Sequence, residues 1–235
     1  MNSKKIAIMQ PGYLPWLGFF ELMLRCDLFV FLDDVQYTVR DWRNRNKIRT
    51  KQGWQWLSVP VLHKGRRQQL IKDVQINDAL PWKNKHLKAM EINYRKSRFF
   101  PDYFPGIEKI FAMDLPGLCD LNIELIVFLK ECLKIDTPGI RSSSLTLKAG
   151  KNERIIDICQ QLNAGELYDS QAASEFLEGA LFAKKGIKIE FQKYNHPEYK
   201  QLYPPFIPYL SVIDLLFNYG PQSRKIISFG GKNQN

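Results

Sequence analysis

The residues able to carry chemistry cluster in the first fifty positions of the 235-residue chain. Gln10 and Tyr13 sit in Gln10-Pro11-Gly12-Tyr13-Leu14-Pro15-Trp16, polar groups among Pro, Leu and Trp. That set suits holding a sugar or acyl group by hydrogen bonding and by stacking on Trp16. Asp33 and Asp34 follow the apolar run Leu28–Leu32 and offer a general base, or carboxylates for an amine or sugar hydroxyls. Gln36 and Tyr37 extend this polar stretch as binding candidates. No third or fourth ligand stands near the Asp pair, so no metal is expected.

Further on, Asn44, Arg45, Asn46 and Lys47 combine two amides with two cations, a set that fits a phosphate-bearing substrate. Arg43, Arg45, Lys47, Arg49 and Lys51 recur at every second position, so a strand would place all five on one face, with Trp42 on the other. A solvated face explains such a row equally well. Trp54 and Trp56 lie close in sequence, and Trp42, Trp54 and Trp56 beside cations also suit nucleic-acid bases. No helix-turn-helix, RRM, KH or zinc signature is present, which leaves nucleic acid as the minor option. Two histidines are candidate bases: His196, in a loop with Tyr and Glu neighbours, and His86, on a helix of alternating Lys and apolar residues. Cys26 and Cys159 read as small buried hydrophobes. No Ser-His-Asp order or G-x-S-x-G elbow is present, and no cofactor is expected.

These residues need elements to position them. Ile6-Ala7-Ile8-Met9 is a short apolar run stopped by Gln10-Pro11-Gly12, the pattern of a buried strand ending in a loop. Leu17, Phe20 and Leu24 recur at helical spacing, and Leu28–Leu32 is a second apolar run. Strand, loop, helix, strand makes a parallel pair whose ends share one edge, where open α/β folds bind ligands. Gln10, Tyr13, Asp33, Asp34 and Gln36 are therefore expected to face one crevice.

The alternation returns between 140 and 191. A strand is expected at Ile140–Leu147, a helix at Lys151–Leu162, a strand at Leu167-Tyr168, a helix at Ala172–Phe182 and a strand at Gly186–Phe191. Between the halves lie a basic hairpin (36–62), a polar loop (64–69) and a helical segment (81–136) in which Phe99–Pro105 reads as an aromatic, proline-rich break. Ser211–Tyr219 is the last expected helix, and Gly230–Asn235 reads as a disordered tail. The expected fold is one α/β domain over 1–235, a mostly parallel sheet flanked by helices with the hairpin and helical segment inserted.

The totals narrow the partners. Residues 1–100 hold 19 Lys and Arg against 8 Asp and Glu, and residues 101–235 hold 15 against 16, so the +10 net charge comes from the first half. Such a field favours anionic partners. No run of 18 apolar residues is present, so no spanning helix is expected. Four scattered cysteines without a CxxC pair point to a reducing cytoplasm.

Several segments together resemble the WbqC-like protein family of bacteria: IAIMQPGYLPWLGFFELMLRCDLFVFLDDVQY, WRNRNKI, PWKNKHLKAM, EFQKYNHPEYKQL and LSVIDLLFNYG. Where the resemblance leads one to expect a Tyr-x-Ser-Gly turn, this chain has Tyr168-Asp169-Ser170-Gln171. That match adds Tyr168 and Ser170 as binding candidates. The resemblance implies a cytoplasmic protein of surface-polysaccharide or O-antigen biosynthesis. The strand-loop-helix opening is also similar in layout to nucleotidylyl-transferring enzymes, with Trp16 and Phe19 standing where those carry phosphate-binding histidines. The expected activity is N-acyl or aminoacyl transfer to a nucleotide-linked amino sugar, from an acyl-CoA, acyl-carrier or aminoacyl donor, in a monomer or homo-oligomer. A noncatalytic protein binding an acidic carrier or a glycosyltransferase, and a nucleic-acid or tRNA binder, are the alternatives.

Overall fold

Both faces of the central sheet are apolar, which dictates helices on either side. In the computed structural model, which describes residues 3–66, 68–148 and 150–231, seven strands follow in chain order. They are β1 (Lys4–Met9), β2 (Leu28–Phe31), β3 (Arg45–Thr50), β4 (Gly53–Ser58), β5 (Gly139–Arg141), β6 (Ala164–Asp169) and β7 (Lys188–Phe191). Five of them form a parallel sheet in the order β5-β2-β1-β6-β7, and β3 and β4 form a separate antiparallel hairpin. Ile6, Ile8, Leu28, Val30 and Leu167 bury against one helical layer, while Ala7, Phe29, Phe31 and Tyr168 bury against the other. The period of two along each strand is what assigns side chains to opposite layers.

The helices are α1 (Leu17–Leu24), α2 (Trp82–Tyr94), α3 (Phe100–Phe111), α4 (Leu118–Cys132), α5 (Lys151–Gln161), α6 (Gly179–Ala183), α7 (Val212–Tyr219) and α8 (Ser223–Gly230). Three helices and one strand differ from the expectations in a physically explicable way. The Phe99–Pro105 stretch is the start of α3, because Pro101 occupies its first turn, where no N–H partner is lost, and Phe100, Phe104, Ile107 and Ile110 are buried. The expected helix at Ala172–Phe182 is split into a 3-10 turn (Gln171–Glu175) and the short α6. The strand expected at Ile140–Leu147 shrinks to β5, since Ser142–Ser144 turn to meet Asp33. Gly230, expected in the tail, ends α8, which buries Ile227. Positions 232–235 of that tail, and Arg67 of the polar loop, lie outside the described residues.

The hairpin also departs from a uniform basic face. Arg45 and Lys47 do lie on one side, but Arg49 is only 1% exposed. Its guanidinium donates to the carbonyls of Thr50, Gly53, Tyr203 and Pro205. Arg43 precedes the strand and turns toward the sheet edge. Trp42 shares the side of Lys47 and Trp56, with ring centroids of Trp42 and Trp56 5.5 Å apart. Among the described residues, no helix is long and apolar enough to cross a membrane.

Candidate functional site

From β1 the chain steps to β2 and β5 on one side, and β6 and β7 build the other, so the strand order reverses between β1 and β6. Loops leaving strands at such a point part from one another and leave a crevice. A cavity of about 600 Å³ opens there. Its base is formed by Ile8, Met9 and Leu32 at the strand ends. Gln10 and Trp16 come from the first loop, Trp42, Arg43 and Asn46 from the approach to and start of the hairpin, and Asp169, Ser170 and Phe176 from the exit of β6.

Two charged groups share this mainly apolar space. Burial pushes the Asp169 carboxyl up from 3.8 to about 7, against the opposing pull of its hydrogen bonds from Ser170, whose N–H lies 2.6 Å from Oδ1. A carboxyl with that value exchanges its proton readily near neutral pH, the property required of a general base or acid. Arg43 donates from Nε to Gln10 Oε1 and pairs with Asp41. Burial lowers its affinity for the proton, yet a guanidinium remains charged at neutral pH. Asp169 is not among the residues expected from the sequence, although it satisfies the criterion that points to Asp33 and Asp34: a carboxylate directly after a buried strand.

The cavity wall is held by a set of buried bonds. Asn46 is 2% exposed, and its Nδ2 donates to the carbonyls of Tyr13 (3.3 Å) and Leu14 (2.7 Å). Leu14 has φ of 44°, a left-handed conformation that non-glycine residues adopt only under such restraint. Asn122 donates to the carbonyls of Pro11 and Arg43, and Tyr13 N–H to the carbonyl of Trp42. The hairpin entry is thereby fastened to the first loop. A Cβ at Gly18 would collide with the Trp16 ring, so glycine there lets the indole lie back over α1.

The structure gathers Gln10, Trp16, Trp42, Asn46 and Ser170 of the sequence candidates in the cavity and places the others elsewhere. The single crevice expected for Gln10, Tyr13, Asp33, Asp34 and Gln36 is not formed. Tyr13 is fully buried, its hydroxyl 2.8 Å from His86 Nδ1. His86 itself is 5% exposed among Trp82 and Phe111, and burial lowers its pKa to about 4. Asp33 is fully buried and accepts hydrogen bonds from Ser142 Oγ, Ser143 N–H and Ser143 Oγ. Asp34 accepts from Ser142 and pairs with Arg154 of α5. Gln36 is exposed beside an isolated bridge to Leu70.

Tyr168 turns away from the cavity and donates its hydroxyl to Glu21 of α1. Asn44 closes the hairpin base by donating to the carbonyl of Val59. His196 stands behind the wall, stacked on Trp16 at 6.4 Å with its Nδ1 on the carbonyl of Pro197, and burial lowers its pKa. Tyr37 is buried with its hydroxyl lacking a partner among the described residues, whereas Arg45 and Lys47 lie on the outer hairpin face. Burial pushes the thiols of Cys26, Cys119, Cys132 and Cys159 up to about 12, which leaves them protonated and poor nucleophiles. Among the described residues, no three His, Cys, Asp or Glu side chains gather as metal ligands do.

Apart from Ile8 and Met9, the cavity residues fall inside the match to one family model, that of the WbqC-like proteins, which spans residues 10–226. The chain belongs to the WbqC-like protein family. It is also similar to the Mycobacterium tuberculosis protein named "Uncharacterized protein Rv1507c", with 38% identity over 222 residues that cover 94% of this chain and 96% of that one. No solved structure matches this WbqC-like protein.

Proposed function

We propose that this WbqC-like protein is an enzyme of bacterial surface-polysaccharide biosynthesis that transfers an acyl or aminoacyl group to the amine of a nucleotide-linked sugar. One observation carries the reading: a mainly apolar cavity at the sheet's switch point contains a carboxyl with a pKa of about 7 together with a half-buried guanidinium. The amine nitrogen attacks the carbonyl carbon of the donor ester or thioester. The new C–N bond forms as the C–O or C–S bond breaks and the leaving group departs with its electron pair. Ionised Asp169 takes the proton that the nitrogen gives up, and that proton can pass to the leaving group. Arg43, steadied by Gln10 and Asp41, offers its remaining N–H groups to a substrate phosphate. Asp33, Asp34 and His86 support the walls, and His196 backs Trp16.

Mass spectrometry of nucleotide amino sugars incubated with acyl-CoA or aminoacyl donors tests this directly. Asp169→Asn should lower kcat/KM by about 10²–10⁴-fold, while folded Asp33→Asn stays near the wild-type rate. Absence of any acylated product, or full activity in Asp169→Asn, sinks the reading. A noncatalytic binding role draws on the exposed Trp42 and Trp54 beside Arg45 and Lys47. It predicts that charge reversal at Arg45 and Lys47 abolishes function in cells while Asp169→Asn is harmless.

A further inference from the structure

The outer hairpin face gathers three indoles around two cations. Trp42 and Trp54, from the hairpin approach and β4, are 47% and 45% exposed, and Trp54 meets Trp56 edge-on at 5.7 Å. Lys47 Nζ lies 4.3 Å from the Trp54 ring centroid and 5.1 Å from that of Trp56, and the Arg45 guanidinium 4.3 Å from the Trp56 centroid. Among the described residues neither cation has an acidic partner. Solitary exposed aromatics are ordinary, but three indoles gathered around two unpaired cations offer both a stacking surface and a positive field.

A second observation points to a ligand beside this face. Tyr37 is 5% exposed and its hydroxyl has no partner among the described residues, although it feels the charges of both Arg43 and Arg45. Among the described residues, Arg45 Nε is unpartnered as well. Buried donors are normally satisfied, so two orphans beside two guanidinium groups call for acceptor oxygens. Trp42 belongs both to this face and to the cavity wall, making the two regions continuous.

We propose that the Trp42–Trp54–Trp56 face, with Arg45, Lys47 and the Tyr37 hydroxyl, is a binding site for a nucleoside diphosphate, base stacked on indole and phosphates on the cations. The occupant is small. Two exposed rings and two unpaired cations match one base and one diphosphate, whereas a nucleic-acid strand needs such features repeated along a groove. The inference rests on the transfer reading in one respect: the site then grips the nucleotide handle while the cavity receives the sugar.

Titration of the full chain with UDP, dTDP, GDP and ADP, followed by tryptophan fluorescence, tests the site. At least one should bind saturably, and more weakly as salt rises. Trp54→Ala should weaken binding about tenfold, Lys47→Gln should weaken it and reduce its salt dependence, and Asp169→Asn should leave it unchanged. Trp54→Phe, which retains a stacking ring, should restore most of the affinity and guards against a folding defect in the alanine variant.

The proposal falls if no nucleoside diphosphate binds, if Trp54→Ala binds as well as wild type, or if inorganic pyrophosphate binds as tightly as every nucleotide. It falls equally if a ten-residue oligothymidylate binds over tenfold more tightly than all four, since the face would then belong to nucleic acid. Nucleotide binding with transfer that survives Asp169→Asn would overturn the mechanism alone. Transfer that depends on Asp169 without nucleotide binding at Trp54 would overturn this site alone.

Discussion

Replacing Asp169 by Asn should make the protein more stable at neutral and alkaline pH while removing its activity. The wild-type carboxyl, near 3.8 in an unfolded chain, is raised to about 7 by burial in the folded one. A folded value above the unfolded one means that the native state holds the proton more tightly. Its stability contribution is therefore complete below pH 3.8 and is lost as pH rises through 7. The interval corresponds to about 4 kcal/mol at full effect and about 2 kcal/mol at pH 5.5. Asn cannot ionise, and its Oδ1 can keep the Ser170 N–H bond, so the variant is spared this loss.

Urea unfolding of both proteins from pH 4 to pH 9 reads the difference directly. The two curves should meet near pH 4 and separate steadily, with Asn the more stable by up to about 4 kcal/mol above pH 8. A pH-independent gap, or an Asn variant that is less stable at pH 8, would refute the reasoning. A stabilised but inactive variant is the expected mark of a site whose residue is kept for chemistry at the expense of the fold.

Other perturbations reach the supports of the site. His86→Gln should flatten the acid limb of stability. The wild-type imidazole is lowered from 6.5 to about 4, so its contribution is present above pH 6.5 and lost as pH falls, amounting to about 3 kcal/mol; denaturant midpoints between pH 4 and 7 check this. Asn46→Ala strips the carbonyls of Tyr13 and Leu14 of their donor and should cost about 2–4 kcal/mol, with faster hydrogen exchange in residues 11–16. Arg49→Lys should cost about 3 kcal/mol or more, because an ammonium cannot reproduce the fork that reaches four carbonyls. A melting temperature within a degree of wild type would contradict that assignment.

Much of the sheet is legible along the chain, and the reasons are local. Ile6–Met9 and Leu28–Leu32 are apolar on both faces because both faces are covered, and the Pro/Gly loop between β1 and α1 marks the edge where the cavity opens. What remained hidden depends on distant partners. A carboxylate after a strand can turn into a cavity or toward a neighbouring loop. Asp33 and Asp34 were captured by serines 108 to 110 positions away, whereas Asp169, equally placed, was left facing the cavity. Periodicity assigned Arg49 to the basic row, but carbonyls at 203 and 205 draw it inward. Helix α8 is not legible in the sequence because its burial rests on Ile227 and on contact with α1 rather than on a long apolar stripe.

The most direct test of the cavity as the functional site is a set of thermal melts of wild type, Arg43→Ala and Asp33→Asn with nucleotide-linked amino sugars and acyl donors. A ligand at a hundred times its Kd adds about 2.7 kcal/mol to the folded state, a shift of several degrees for a chain of this size. The account predicts such a shift for wild type and for folded Asp33→Asn, and its loss in Arg43→Ala. An equal shift in Arg43→Ala, or a shift abolished only by Asp33→Asn, would move the site away from this cavity and contradict the account.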